Sequence, residues 1–412
     1  MDVILERCAG LDVHQATVTA CIRSPGPGGE RTQVIQTFGA TTPDLLTLRD
    51  WLAAHRVTHV AMESTGVYWK PVSSALEEGF ALLLVNAAHL AQVPGRKTDV
   101  ADCAWIAQLL ECGLLRGSFV PPPPIRELRD LTRYRKALIQ DRTREANRLH
   151  KVLEDAGVKL ATVASDILGV SGRAMLTALV EGTTDPTVLA ELARGKLRQK
   201  LPALRHALTG RFRGHHAFLV SQLLAHLDYL DETIGTLSEQ IEAHLAPFAA
   251  AAARVATIPG VKQRSVENLL AEIGVDMARF PTPGHLVSWA GVCPGNNASA
   301  GKRRRGRTRK GDRWLKITLI EAALAAIRVK GSALGARYRR ICRHRGHKIA
   351  IVAVARAILE IVWHLLAHGT TYHELGADYI DRRDKQQSTR RYVRLLEKLG
   401  HRVTLEPAPL AA

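Results

Sequence analysis

CAGLDVHQATVTACIRS, residues 8–24, reads as a strand, a tight connection and a second strand, and that reading sets the fold of the first third of the chain. Leu11 and Val13 alternate with Asp12, so the carboxylate projects from the face of the pleat opposite the apolar pair. Outward from this hairpin the pattern keeps changing period. RTQVIQTFGA offers a third strand, PDLLTLRDWLAAH is helical by spacing, and HVAMES is strand-like and ends on Glu63. WKPVSSALEEG is again helical, and ALLLVN is a short apolar run of the kind found in a sheet covered on both faces. PPPPI at 121–125 closes the unit, because four prolines continue neither a helix nor a central strand. Residues 1–120 are therefore expected to form an α/β domain of mixed sheet.

Within that domain, RKTDVADCAWIAQLL (96–110) predicts a helix with Thr98 as its N-cap and Val100, Cys103, Ala104, Ala107 and Leu110 as its apolar stripe. Asp99 and Asp102 then share the first turn, where acidic residues commonly offset the helix dipole. They take on chemical meaning only if other carboxylates join them.

The chain has 412 residues and a formal net charge of +18, enough length for two or three domains and enough positive charge to imply a polyanionic partner. No apolar run at the N-terminus has signal-peptide length. The most apolar stretch, IAIVAVARAILEIVWHLLAHG, is interrupted by Arg356, Glu360 and His364, four apart on one helix face, which predicts a buried amphipathic helix and no membrane span. Six cysteines without paired zinc spacing fit a reduced, cytoplasmic protein.

Past the prolines, 121–249 is expected to be helical. Residues 126–156 are highly charged, and Val220, Leu223, Leu227, Leu230, Ile234, Leu237 and Ile241 repeat at gaps of three and four, a coiled-coil seam. Its arms would pack as an antiparallel hairpin within the chain or pair with a second subunit; 157–215 between them has no clear pattern. A third region, 250–370, opens with TIPGVKQRSVENLLAEIG, a Pro-Gly turn running into a helix whose N-terminus, near Lys262, can cradle a phosphate. It continues into LVSWAGVCPGNNASAGKRRRGRTRKGDRWLK, a Gly-, Asn- and Ser-rich loop carrying Lys302, Arg303, Arg304, Arg305, Arg307, Arg309, Lys310 and Arg313. A second acid-free basic block spans 328–348, and 371–412 is read as a tail. Clustered loop arginines point to phosphate binding and hence to a nucleic-acid surface.

Asp12, Glu63, Asp99 and Asp102 then form a set of four carboxylates, two from strands and two from a helix start. Such groups repel unless cations sit between them, and hard oxygen ligands select Mg²⁺ or Mn²⁺, which can stabilise both the attacking and the leaving oxygen of a phosphodiester.

GLDVHQ, AMESTG and KTDVADCAWIAQLL, followed by IPGV, LVSWAGVCPGNNASAGKRR and a basic tail, resemble the insertion-sequence transposases of the one-ten family (IS110, with its eleven-eleven relatives) over nearly the whole chain. The resemblance implies a RuvC-like, ribonuclease H-like DEDD domain, a helical coiled-coil middle and a mainly α transposase domain with a helix-hairpin-helix-like start. It implies a recombinase that excises and inserts its own element on donor and target double-stranded DNA, with an element-encoded structured bridge RNA as guide. Because such an enzyme must hold several strand breaks together and the seam from Val220 to Ile241 offers a pairing surface, a dimer that becomes a tetramer on DNA is expected. Carried over residue by residue, the acidic set falls on Asp12, Glu63, Asp99 and Asp102, and a second catalytic centre falls on Ser299 in NNASAGK. Two positions depart from the family pattern: Lys262 stands where relatives have the second glycine of PGVG, and Ala298 where many have an acidic residue before the serine. Three readings follow. Ser299 attacks the phosphodiester and is held covalently; the metals alone drive strand transfer or junction resolution; or a non-enzymatic protein merely binds nucleic acid. The carboxylate set disfavours the last, since a pure binder has no use for a negative pocket.

Overall fold

The computed structural model describes residues 3–26, 28–64, 66–86, 99–295, 298, 299, 302, 303, 308 and 310–405, and divides into two compact units, residues 1–120 and 121–412.

The first unit is built on five strands: β1 (Cys8–Val13), β2 (Thr17–Pro25), β3 (Arg31–Gly39), β4 (His59–Glu63) and β5 (Ala81–Val85), in the order β3-β2-β1-β4-β5. β1 pairs antiparallel with β2 and β2 with β3, while β1–β4 and β4–β5 are parallel, giving a mixed sheet. The parallel pairs need crossovers, supplied by α1 (Thr42–Ala54) and α2 (Trp69–Leu76). Period-2 alternation sorts the faces. Ala9, Leu11, Val13, Val18, Ala20, Ile22, Val60 and Met62 pack with Leu45, Leu48 and Leu52 of α1 and Val72 and Leu76 of α2. The other face, with Cys8, Cys21, Ala61 and Val85, lies under α3 (Asp99–Glu111) through Cys103, Ile106, Ala107 and Leu110. β5 ends the sheet, and its two faces are both covered as the apolar run suggested: Leu82 and Leu84 pack in the α1/α2 core and Leu83 and Val85 in the core under α3. Thr98, the expected N-cap of α3, lies outside the described residues.

In the second unit α4 (Pro123–Asp155) places two prolines in its first turn, where the missing N–H costs nothing. α5 (Val170–Val180), α6 (Pro186–Glu191) and α7 (Leu201–Leu208) follow as short helices, then the long α8 (Gly214–Leu245). α8 returns antiparallel along α4: Ile241 meets Leu128, Leu230 and Ile234 meet Leu138, and Val220, Leu224 and Leu227 meet Leu149 and Leu153. The apolar seam is thus spent inside the chain and is not a free surface for a second copy, which corrects the expectation that it could serve subunit pairing. The stretch 157–215, unreadable by period, folds as a small helical cap on this end of the arm, its core formed by Leu160, Ile167, Met175, Leu176, Leu179, Leu189, Leu204 and Leu208.

The chain continues through α9 (Ala249–Ala256), α10 (Gln263–Ile273), α11 (Pro283–Trp289), a two-stranded ribbon β6 (Ala298–Ser299) and β7 (Lys302–Arg303), α12 (Arg313–Ala326), α13 (Ala333–Arg345), α14 (His347–His368) and α15 (Tyr379–Lys398). α14 is, among the described residues, the one helix long and apolar enough to cross a membrane; it buries Ile351, Val354, Ile358, Val362 and Leu365 in this unit and pairs Arg356 Nε with Glu360 Oε1 at 2.8 Å on its other side. The 371–412 stretch contains a 20-residue helix, α15, where a tail was expected.

Candidate functional site: an acidic face and a basic hairpin

The register of the first sheet brings Asp12 and Glu63 together. β1 and β4 pair in parallel up to Leu11↔Met62, so the next residues of each strand, Asp12 and Glu63, stand side by side at the C-terminal ends of two neighbouring strands, about 4.8 Å apart in backbone spacing. Leu11 and Met62 point into the α1/α2 core, hence the two carboxylates share the opposite face, the one under α3. Both are half-buried. His14 Nε2 lies 3.0 Å from Asp12 Oδ2, a partner that the sequence reading missed although the DVH spacing displays it.

Three contacts fix α3 over this face. At its C-terminal end Glu111, 3% exposed in its side chain, accepts from Arg23 Nε at 2.9 Å and from Arg31 Nε at 2.7 Å, tying the helix to β2 and β3 near the start of β1. In its middle the backbone at Cys103 and Ala107 rests directly on Gly10: a Cβ there would overlap the Cys103 carbonyl oxygen and the Ala107 amide nitrogen. Beside that contact the Cys21 thiol donates to Cys103, which raises the Cys21 pKa and lowers that of Cys103. The helix therefore runs antiparallel to β1, and its first turn, with Asp102 half-buried, lies toward the Asp12 end; the charge of Asp12 is felt at Cys103. Asp99 opens the same helix, its side chain outside the described set.

Asp12, Glu63 and Asp102 carry hard oxygen donors, of the kind that suits Mg²⁺ or Mn²⁺, on two strand ends and a helix start. Among the described residues the one group of His, Cys, Asp and Glu whose ligand atoms all fall within 4.8 Å is Asp155, His215 and His216. The ligand atoms of Asp12, Glu63 and Asp102 do not meet that spacing. The His216 group has a structural explanation: Nδ1 accepts the Arg213 N–H at 3.1 Å, which leaves Nε2 protonated to donate to Asp155 at 3.0 Å, so no lone pair remains for a cation. It locks the start of α8.

In the second unit, Ser299 lies on β6, opposite Lys302 of β7, with Ala298 opposite Arg303. A ribbon thus stands where the sequence suggested a loop. A bridge between Pro294 and Thr308 lies nearer its base. There the Lys316 ammonium donates to Gly291 O at 3.2 Å and to Thr308 Oγ1 at 3.0 Å, and Gly311 passes so close to the Ala290–Gly291 peptide that a Cβ would overlap it. Asp312 caps α12 through the Leu315 N–H at 2.8 Å and meets Arg133 Nη2 at 3.0 Å, while Arg133 also forks onto Glu272 at 2.7 Å through each nitrogen. Burial pushes the Glu272 pKa upward, against the pull of Arg133. The downstream end of the basic segment is thereby anchored to α4. Lys310 and Arg313 are exposed; Lys302 and Arg303 are placed by backbone alone, and Arg304, Arg305, Arg307 and Arg309 lie outside the described residues.

Lys262 is exposed at the N-cap of α10. The preceding turn backs onto α12, for Gly260, at φ +82°, has room for no Cβ beside Ala326 N and Ala322 O, so its glycine serves packing. The Lys316 clasp and the Arg133–Glu272–Asp312 network escaped sequence reasoning, since their partners lie up to 179 positions apart.

Comparison with known proteins gives two family matches: the DEDD transposase model of the IS110 group over residues 9–157, and the model described as "Transposase IS116/IS110/IS902 family" over residues 252–339. An uncharacterized 43.6 kDa protein of insertion element IS110 from Streptomyces coelicolor is 28% identical over 306 residues, covering 68% of this chain and 73% of its own. An uncharacterized 42 kDa protein of insertion element IS900 from Mycobacterium paratuberculosis is 27% identical over 333 residues, covering 71% and 80%.

Proposed function

The chain belongs to the IS110 family of insertion-sequence transposases, enzymes that cleave and rejoin DNA, and on that premise we propose that it breaks phosphodiesters by serine attack and that its carboxylate set binds metal. The observation that carries the proposal is the side-by-side register of Asp12 and Glu63 beneath the α3 end that bears Asp99 and Asp102, on a five-stranded mixed sheet. In this reading the four carboxylates hold Mg²⁺ or Mn²⁺, which when bound offsets charge on the scissile phosphate. Lys262, Lys302, Arg303, Lys310 and Arg313, with Arg304, Arg305, Arg307 and Arg309, hold the DNA backbone near the ribbon. Ser299 Oγ attacks phosphorus; its proton leaves to a base, the Oγ–P bond forms, and the bond from phosphorus to the deoxyribose oxygen breaks, that oxygen taking up a proton. Clustered cations lower the cost of the charge that develops.

An element-encoded bridge RNA and a dimer that becomes a tetramer on DNA belong to the same proposal. With the α8 seam consumed, pairing requires another face. Sequencing of nucleic acid co-purified with the protein tests the guide: a structured RNA from the flank of its own gene is expected, and random RNA would remove it. For the metal site the test is Mn²⁺ binding by electron paramagnetic resonance. Asp12→Asn and Glu63→Gln should each lose bound Mn²⁺ and recombination while keeping the fold, because removing one of several like charges need not destabilise the apo protein. Full recombination by either variant in Mg²⁺ would reject the site.

A further inference from the structure

From residue 192 to residue 227 the chain holds seven Lys or Arg and no Asp or Glu. This run lies in the helical cap at the far end of the α4/α8 arm, away from the ribbon, and all seven cations are exposed. Arg198 and Arg205 converge on one carboxylate, Glu191, at 3.2 and 3.5 Å. Among the described residues Arg194, Lys196, Arg211 and Arg213 have no carboxylate partner. A solvated face normally mixes signs, whereas here, among the described residues, the seven cations have Glu191 as their one carboxylate partner, an excess that repels itself and is explained by a polyanion that neutralises it.

We propose that this cap is a second duplex-DNA backbone surface, set about one helical turn from the basic ribbon. The spacing comes from α4. Arg133 holds Asp312 at the end of the ribbon segment, and the carbonyl of Ala156 accepts the Arg211 N–H at 2.7 Å. Arg133 and Ala156 are 23 residues apart along the helix, about 35 Å at about 1.5 Å per residue. One turn of B-DNA is about 34–36 Å. The rod is stiffened by the α8 packing and by Arg142–Asp231 across it, with Nη2 to Oδ2 at 2.9 Å. A duplex laid along the arm would therefore present phosphates to the ribbon and again, one turn on, to the cap. The inference rests on the chain acting on DNA but not on Ser299 or the carboxylates, whose variants should leave it untouched.

The test uses the full chain and arbitrary-sequence DNA duplexes of about 8 to 30 base pairs, read by fluorescence anisotropy over a salt series, with RNA duplexes of the same lengths alongside. The wild type should show a rise in affinity once the DNA exceeds about one turn. In Arg194→Gln/Lys196→Gln/Arg211→Gln/Arg213→Gln that rise should vanish, short-duplex binding should persist, and the salt slope on long DNA should fall by about 3 to 4. Because these four side chains are exposed and lack carboxylate partners, thermal unfolding should not move. A variant that keeps both the length step and the slope would overturn the proposal. So would a step seen with RNA duplexes alone.

Discussion

Gly10→Ala places one methyl where α3 touches the sheet. The new Cβ would overlap the Cys103 carbonyl oxygen and the Ala107 nitrogen and stand 3.0 Å from Ala107 Cα, all of it backbone that cannot rotate away. Ordinary contact begins near 3.4 Å, so the helix must lift by about 1 Å. Its C-terminal end is held by Glu111 between Arg23 and Arg31, so the lift falls mostly on the end carrying Asp99 and Asp102. Overpacking of this kind costs about 1–3 kcal/mol of stability. A 1 Å displacement of catalytic groups costs about 10²-fold in rate, equivalent to about 2.7 kcal/mol of barrier. Single-turnover cleavage of element-end DNA in Mg²⁺, measured beside thermal unfolding, separates the two effects. Gly28→Ala, where nothing lies within 4 Å of the new carbon, is the control. Gly10→Ala should remain folded and cleave about a hundredfold more slowly. Cleavage within about threefold of wild type would show that the α3 end does not set the chemistry.

Lys316→Met removes the ammonium that joins Gly291 and Thr308 at the base of the ribbon; it should depress strand cleavage at least tenfold with DNA affinity nearly unchanged, Lys316→Arg recovering part, and equal loss of binding and cleavage would argue for a mere DNA contact. Glu267→Gln strands the Arg135 charge, since both side chains are 2% exposed and their closest approach is 2.6 Å, and should cost about 3–5 kcal/mol in urea unfolding; less than 1 kcal/mol would mean that water reaches the pair. The Cys8 thiol, pushed up to about 12 by burial, should resist alkylation at pH 8 in the folded protein while the half-buried Cys112 and Cys293 react, and rapid labelling of Cys8 would refute its burial.

Much of the first unit was legible because its signals are local. Asp12 stands out by alternation, Glu63 by its place at a strand end, and α3 by helical period. Which carboxylates meet is a matter of strand order, and the parallel β1–β4 register is written in no single segment. Gly10 looks like any strand glycine until α3 is laid on it. The α8 seam was visible, but its partner was not, because a run of apolar positions does not say whether the matching ridge belongs to the same chain. The cap at 157–215 defeated periodicity for a different reason: its helices are short and interrupted by Pro186, Gly195 and Pro202, too brief for a 3.6-residue repeat to declare itself. The run from 192 to 227, with seven Lys or Arg and no Asp or Glu, was nonetheless countable.

Incubation with radiolabelled element-end DNA in Mg²⁺, followed by denaturation, nuclease and protease digestion, tests the central claim most directly. The label should remain on the peptide containing Ser299 and should be absent with Ser299→Ala. Recombination by Ser299→Ala with no protein-bound label would contradict the account and assign the chemistry to the carboxylate site alone.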